Sequence, residues 1–215
     1  MTTAPGGADY LLAAESALRL IGRVEVAQQW DRPSALPRMT VGAVAAHLGT
    51  QVLTVHAALT AGEGVTQEPP VPLLEHYDRV AWVRADLDDD ANVTIREGAE
   101  RSATTGHDAL VRRLEAALAD LRLAFASLEL PPAVTMPWWD WSVSFPDYLV
   151  TRTMEIVVHS DDLAVSVDVE PPPLPEHVLG PVLALLVGIS LHRHGQAAVV
   201  RGLSRRERAG NISAF

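Results

Sequence analysis

The chain has 215 residues, of which 48% are hydrophobic and 20% charged, enough for one domain with a substantial hydrophobic core. Its 17 basic residues, all of them arginine, stand against 27 acidic residues, and the net charge of −10 argues against a protein that binds nucleic acid by neutralising phosphates. The chain has no cysteine, which excludes disulfide bonds, thiolate metal ligands and a thiol nucleophile of its own.

The first half of the chain predicts helices of unequal clarity. Apolar residues recur every three or four positions over residues 10–29, and Thr40 stands at the expected N-cap of a second helix that runs from residue 41 to Gly62. A loop then leads to a short predicted helix at residues 73–83. Residues 86–106 are acidic at their start and weakly patterned, and they indicate no clear element.

The second half predicts longer helices. Residues 107–128 combine regularly spaced leucine and alanine with charged residues, which is typical of a long amphipathic helix. After an extended passage that contains three tryptophans, another long helix begins near Pro146 and ends before the prolines of residues 171–175. An apolar helix over residues 176–193 and a short tail follow.

Alternation of period two is scarce, and short breaks with proline or glycine join the predicted helices. We therefore predict an all-α fold: an antiparallel four-helix bundle in a single domain over residues 1–215, with an additional C-terminal helix and a short tail over residues 175–215. The amino terminus lacks a cationic residue ahead of an apolar stretch, and the most apolar run, residues 178–191, is shorter than the ~20 residues that cross a bilayer. We expect a cytoplasmic protein, either a monomer or a homodimer, that binds neither nucleic acid nor membranes.

The helix that begins near Pro146 carries a polar stripe. Its members recur at spacings of four and three residues and therefore lie on one side of the helix: Tyr148, Arg152, Glu155, His159, Asp162 and Ser166. Apolar residues occupy most other positions, so the stripe is either a narrow exposed strip or the wall of a polar pocket inside the bundle. The residues alone leave both interpretations open.

Glu155 and His159 are four residues apart, a spacing that lets a carboxylate oxygen and an imidazole nitrogen bind the same metal ion. A catalytic zinc centre usually has three protein ligands and one open position, so a third ligand must come from another element. His47, which lies among alanines in the second predicted helix, is the candidate. The alternatives are a surface Glu–His pair and a histidine that packs in the core.

Two blocks of the sequence resemble one known family. Residues 152–163, RTMEIVVHSDDL, resemble the R-x-x-E-x-x-x-H-x-x-D-L signature of the mycothiol-dependent maleylpyruvate isomerase N-terminal domain, a branch of the DinB/YfiT-like helical metalloproteins. Trp30 and residues 34–48, SALPRMTVGAVAAHL, are similar to that family's L-P-G-W-T-V-x-D-x-x-x-H-L block. The two blocks frame most of residues 8–168, the part of the chain that the resemblance covers.

The resemblance implies a DinB-type bundle with one divalent metal, usually zinc, held by His47, Glu155 and His159. It also implies that the open position receives the thiol of mycothiol, since a divalent ion favours the thiolate that attacks an electrophile. Asp162 is then an acceptor for a ligand imidazole, and Arg152 orients Glu155 or binds a substrate anion. We predict Arg152 and Asp162 as catalytic residues; the residues do not distinguish zinc from nickel or iron.

Aromatic residues near the stripe are further candidates. Trp138, Trp139 and Trp141 precede the long helix and either wall a ligand pocket or pack in the core. We predict Trp138, Trp139 and Tyr148 as the residues that bind the thiol cosubstrate.

Two departures from the family concern the substrate. Arg38 and Met39 replace a Gly-Trp pair, and about 40 residues follow Pro175, whereas members with isomerase activity carry an additional C-terminal domain. These departures argue against maleylpyruvate as the substrate and leave open a different electrophile or a reaction without a thiol. The preferred function is a metal-dependent, mycothiol-using transferase or isomerase that acts on a small electrophile. The alternatives are a hydrolase that uses metal-bound water, and a non-catalytic bundle that binds a ligand or partner through residues 138–141.

Overall fold

The computed structural model describes residues 6–127 and 129–215 and is largely helical, which confirms the predicted fold class in its main feature. The helices within these residues are α1 Gly7–Ile21, α2 Val24–Gln28, α3 Val41–Thr60, α4 Leu73–Arg79, α5 Asp90–Ala103, α6 His107–Ser127, α7 Phe145–Ser166, α8 Glu176–His194 and α9 Gln196–Ser204. None of the helices in this part of the chain has the combined length and apolarity needed to cross a membrane.

A small sheet corrects the prediction of a purely α protein. It consists of β1 Val65–Thr66, β2 Pro70–Val71, β3 Ala133–Val134 and β4 Ser142–Ser144, in the order β1-β3-β4-β2. β3 pairs antiparallel with β1 and β4, and β2 pairs parallel with β4. Strands of two or three residues are too short to show the alternation by which strands are read from a sequence.

The predicted helix at residues 10–29 is interrupted. α1 ends at Ile21, and the Gly22 amide donates to the Leu18 carbonyl oxygen at 2.9 Å as the helix closes, before α2 begins at Val24. Glycine costs roughly 1 kcal/mol in a helix interior relative to alanine, so a break is favoured here. The apolar spacing continues across the break and predicts a single helix where the structure has two.

Thr40 caps α3 as predicted. Its hydroxyl accepts a hydrogen bond from the Ala43 amide at 3.1 Å, and the same hydroxyl donates to the Glu100 carboxylate at 3.0 Å. The Thr40 amide donates to the other oxygen of Glu100 at 2.8 Å. The start of α3 is therefore tied to α5 as well as capped.

α5 occupies most of the segment where the sequence indicates no clear element. Its buried residues are only Ala99 and Ala103, so it lacks the apolar stripe that reveals a helix. Polar contacts hold it instead: Glu100 binds Thr40, and the Trp30 indole donates to the Ala103 carbonyl oxygen at 3.2 Å. α9 likewise occupies part of the predicted tail, separated from α8 by Gly195 at φ +80°.

Two apolar clusters meet at α7. In the larger cluster α3 packs against α5, α6 and α7, and α1 packs against α6 and α7. The smaller cluster joins α4 and α8 to α7 through Tyr77, Met154 and Val182. α7 is therefore buried over most of its circumference, as its wide apolar arc predicts, and its polar stripe lies where the helices meet.

Candidate metal centre

Three side chains from two helices converge between α3 and α7. One nitrogen each of His47 and His159 and one carboxylate oxygen of Glu155 all lie within 4.8 Å of one another. The two imidazole rings have centroids 4.6 Å apart and meet edge to face at 81°. The structure thus brings together the three residues predicted from the sequence. His47 meets Glu155 and His159 although they belong to two blocks that are far apart in the chain.

The carboxylate of this cluster is buried, which favours the pocket interpretation of the polar stripe over the exposed strip. Glu155 is only 9% exposed as a residue, and the side chain of His159 is 17% exposed. Burial of a carboxylate is unfavourable unless it is paired or binds a cation. Here His159 Nε2 lies 3.1 Å from Glu155 Oε2.

Asp162 fixes the orientation of His159. Its Oδ2 atom lies 2.9 Å from His159 Nδ1, on the opposite side of the ring from Glu155. Metal-binding histidines characteristically donate their second N–H to a carboxylate, which sets both tautomer and ring orientation. Asp162 therefore occupies the position expected of a residue that orients a ligand.

Hydrogen bonds and charges set the protonation of the three side chains. Burial alone would raise the pKa of Glu155, but the hydrogen bond and charge of His159 and the charge of Arg152 lower it to about 2. Burial alone would lower the pKa of His159, but its hydrogen bonds to Asp162 and Glu155 raise it to about 9. Burial and the adjacent charge of His159 lower the pKa of His47 to about 4. At pH 7 the cluster therefore contains an ionised Glu155, a protonated His159 and a neutral His47.

Arg152 lies one turn before Glu155 and is held by a residue that the sequence analysis missed. Its Nη1 donates to the Gln51 side-chain oxygen at 2.7 Å, and its guanidinium carbon lies 5.4 Å from the centre of the Tyr148 ring. The Gln51 amide nitrogen donates to the His47 carbonyl oxygen at 3.1 Å. Arg152 thus acts on Glu155 through its charge, and its hydrogen bond joins α7 to α3. The position of Gln51 one turn after His47 is the signal that could have identified it.

The predicted aromatic residues occupy different environments. Trp138 is 69% exposed, whereas Tyr148 is buried beneath Arg152. Trp139 is half-buried and stacks on Trp141, with ring centroids 5.9 Å apart and planes at 10°. Trp139 and Tyr148 are therefore packed in the interior, while Trp138 faces solvent.

The donor set fits a divalent metal ion. Two imidazole nitrogens and one carboxylate oxygen are ligands that zinc accepts at about 2.0–2.2 Å, and three protein ligands leave a fourth position for another molecule. Ligands of one tetrahedral ion lie about 3.4 Å apart at such bond lengths. The three ligand atoms lie within 4.8 Å of one another, and His159 Nε2 and Glu155 Oε2 are 3.1 Å apart, so the arrangement is compatible with one shared ion.

Fold and cluster together define a largely helical protein with a candidate mononuclear metal centre between two helices. The family model of the mycothiol maleylpyruvate isomerase N-terminal domain matches residues 11–164, and the chain belongs to this family. The match contains all three residues of the cluster. No curated protein and no solved structure matches the chain significantly.

Proposed function

We propose that the protein binds one divalent metal ion, most readily zinc, through His47, Glu155 and His159, and that it transfers or isomerises a small electrophile with mycothiol as cosubstrate. The convergence of two imidazoles and a buried carboxylate within 4.8 Å, in a member of this family, is the observation that carries the proposal. When bound, a divalent ion supplies a preference for thiolate over thiol, and the thiolate is the form that attacks an electrophile. The chain has no cysteine, so the thiol comes from another molecule.

The chain's own residues position and charge the site. Asp162 holds the His159 ring through Nδ1, which leaves Nε2 facing Glu155 and the metal position. The lowered pKa of His47 keeps this imidazole neutral, the form that binds a metal. Arg152, fixed by Gln51, places a positive charge one turn from Glu155, where it attracts an anionic group of the electrophile or the thiol.

The wider architecture of this proposal follows the family. We propose that α1, α3, α6 and α7, which pack against one another, form the antiparallel DinB-like four-helix bundle of a single domain. Trp139 and Tyr148 border the thiol position, and Trp138 contacts the exposed part of a bound ligand. The proposed partners are a small-molecule electrophile and a low-molecular-weight thiol, with a monomer or homodimer in the cytoplasm.

Metal binding is tested first, with two histidines of the same helix as a matched pair. His47 lies in the cluster, whereas His56, also in α3, pairs with Asp120 at 3.0 Å near the surface. The wild-type protein and His56→Ala should each bind one zinc ion in isothermal titration calorimetry, and His47→Ala should lose tight binding. Equal stoichiometry and affinity in both variants would remove His47 from the site.

Thiol use is tested with cobalt in place of zinc. Coordination of mycothiol should add a thiolate-to-metal charge-transfer band to the absorption spectrum of the wild-type protein, and His47→Ala should not show the band. Hydrolysis of esters or amides without thiol would favour the hydrolase instead. If the bound metal neither coordinates the thiol nor supports hydrolysis, the result would favour a non-catalytic binding protein.

A further inference from the structure

The polar stripe of α7 lies between the two apolar clusters. Ile156 and Leu163 face the larger cluster, which contains α3, while Met154 and Val158 face the smaller one, which contains α4. With 3.6 residues per turn, these positions flank the stripe on opposite sides. His47 reaches the stripe from α3, and the smaller cluster brings α4 and α8 to the other side of α7.

α4 presents two adjacent polar side chains to this region, His76 and Tyr77. Both are almost fully buried, at 2% and 3% exposed. The His76 ring lies 4.5 Å from Trp139, which packs against both clusters, and Tyr77 belongs to the same cluster as Met154, the neighbour of Glu155. The charges of Arg152 and Glu155 act on the pKa values of both side chains, which places them within electrostatic reach of the stripe.

His76 is fixed as a hydrogen-bond donor at one nitrogen. The Trp141 indole N–H donates to His76 Nδ1 at 3.0 Å, so the proton of the neutral ring resides on Nε2. Burial, followed by the charge of Arg152, lowers the pKa of His76 to about 4 and keeps the ring neutral.

Tyr77 carries a polar atom that lacks a partner. Its hydroxyl is buried and has no hydrogen-bond partner among the described residues. Buried polar groups are almost always satisfied, and an exception calls for an explanation such as a ligand or an ordered water. The unpartnered Tyr77 hydroxyl and the His76 Nε2–H therefore belong to adjacent residues of one short helix, within electrostatic reach of the stripe.

We propose that His76 and Tyr77 form the second wall of the site and donate hydrogen bonds, from Nε2–H and the hydroxyl, to an acceptor oxygen of the electrophile. This inference rests on the proposed function. A carboxylate or carbonyl oxygen fits these two donors, and the Arg152 charge adds attraction for a carboxylate. An electrophile attacked by a thiolate gains negative charge on such an oxygen, so donors placed there stabilise the transition state as well as the bound substrate.

The test uses a pair of small probes on zinc-loaded protein. Crotonate has an electrophilic double bond next to a carboxylate, and crotyl alcohol keeps the carbon skeleton without it. In isothermal titration calorimetry the wild-type protein should bind crotonate more tightly than crotyl alcohol. Tyr77→Phe should weaken crotonate binding about tenfold or more, the loss expected for one hydrogen bond to a charged group, without changing the affinity for zinc or crotyl alcohol.

Two variants of His76 separate its donor from its packing. His76→Asn keeps an acceptor for Trp141 near the Nδ1 position and loses the Nε2 donor, so it should weaken crotonate binding as Tyr77→Phe does. His76→Gln can place an amide N–H near the Nε2 position and should retain most of the affinity. Equal effects of both variants would assign His76 a packing role and refute its part in the proposal.

The outcomes distinguish this inference from the function on which it rests. If the wild-type protein binds no zinc, the proposed function fails. If it binds zinc but does not prefer crotonate, or if Tyr77→Phe binds crotonate as tightly as wild type, the hydroxyl serves only an ordered water and the inference alone is wrong. Loss of zinc together with crotonate in Tyr77→Phe would likewise overturn it, because Tyr77 would then support the metal ligands.

Discussion

Zinc binding at the cluster should release one proton near neutral pH. His159 has a pKa of about 9, because its hydrogen bonds to Asp162 and Glu155 outweigh the effect of burial. Zinc requires the deprotonated nitrogen, so metal and proton compete for this ring. His47, with a pKa of about 4, and Glu155, with a pKa of about 2, are already deprotonated and contribute no proton.

The size of the pH effect on zinc affinity follows from the difference between pH 7 and the His159 pKa of about 9. Two pKa units correspond to a factor of about 100 in affinity, or ~2.7 kcal/mol. The proton is lost as pH rises through the folded-state pKa, so the apparent zinc affinity should rise about tenfold per pH unit from pH 7 and level off above about 9. Below pH 5 the affinity should fall more steeply as His47 begins to protonate.

Competition with a chromophoric chelator measures the affinity as a function of pH, and calorimetry in buffers of different ionisation enthalpy counts the protons released. His56→Ala serves as the control and should keep the wild-type slope. An affinity that stays constant between pH 7 and pH 8.5, or a binding enthalpy that is the same in every buffer, would show that His159 is neutral before zinc arrives. The ion pair between His159 and Glu155 would then be refuted.

Three further predictions follow from single contacts. Asp162→Asn should weaken zinc binding about 10–100-fold at high pH, as expected for loss of a carboxylate that orients a ligand, and unchanged affinity in the chelator competition would contradict this. Thr40→Ala should lower the free energy of unfolding by about 1–2 kcal/mol in urea, with Thr40→Ser as the control that keeps the capping hydroxyl. Tyr10→Phe removes a hydrogen bond to the Gln51 carbonyl oxygen and should lower the free energy of unfolding by about 1 kcal/mol. Tyr77→Phe removes a hydroxyl without a partner among the described residues and should leave that free energy unchanged. Equal losses of stability in the two variants would contradict this prediction.

The α7 part of the cluster is predictable from the sequence because that part is local. Glu155 and His159 are neighbours on any helix that contains both, so their spacing alone predicts that they can share an ion. His47 is different, since its position against α7 depends on how α3 packs. Its alanine neighbours made it one candidate for the third ligand, and the resemblance then linked it to the pair.

The elements that the sequence did not reveal are those with little apolar pattern of their own. α5 buries two alanines and is held by hydrogen bonds to Thr40 and Trp30, which no periodicity encodes. His76 and Tyr77 lie in α4, which the sequence does predict as part of residues 73–83, but a helix of seven residues is too short for a polar face to be recognised. Their significance depends on Trp141, which is distant in sequence and supplies the hydrogen bond that fixes the His76 proton.

Opposite charges on neighbouring side chains explain why the polar stripe of α7 can lie in the protein interior. Glu155 and Asp162 flank His159, and a protonated imidazole between two carboxylates partly neutralises both. A divalent cation at the same place would replace that proton with a larger charge and satisfy the same carboxylate. We therefore expect the cluster to accept either the proton or the metal while α7 keeps its place, since apolar packing holds this helix on both flanks.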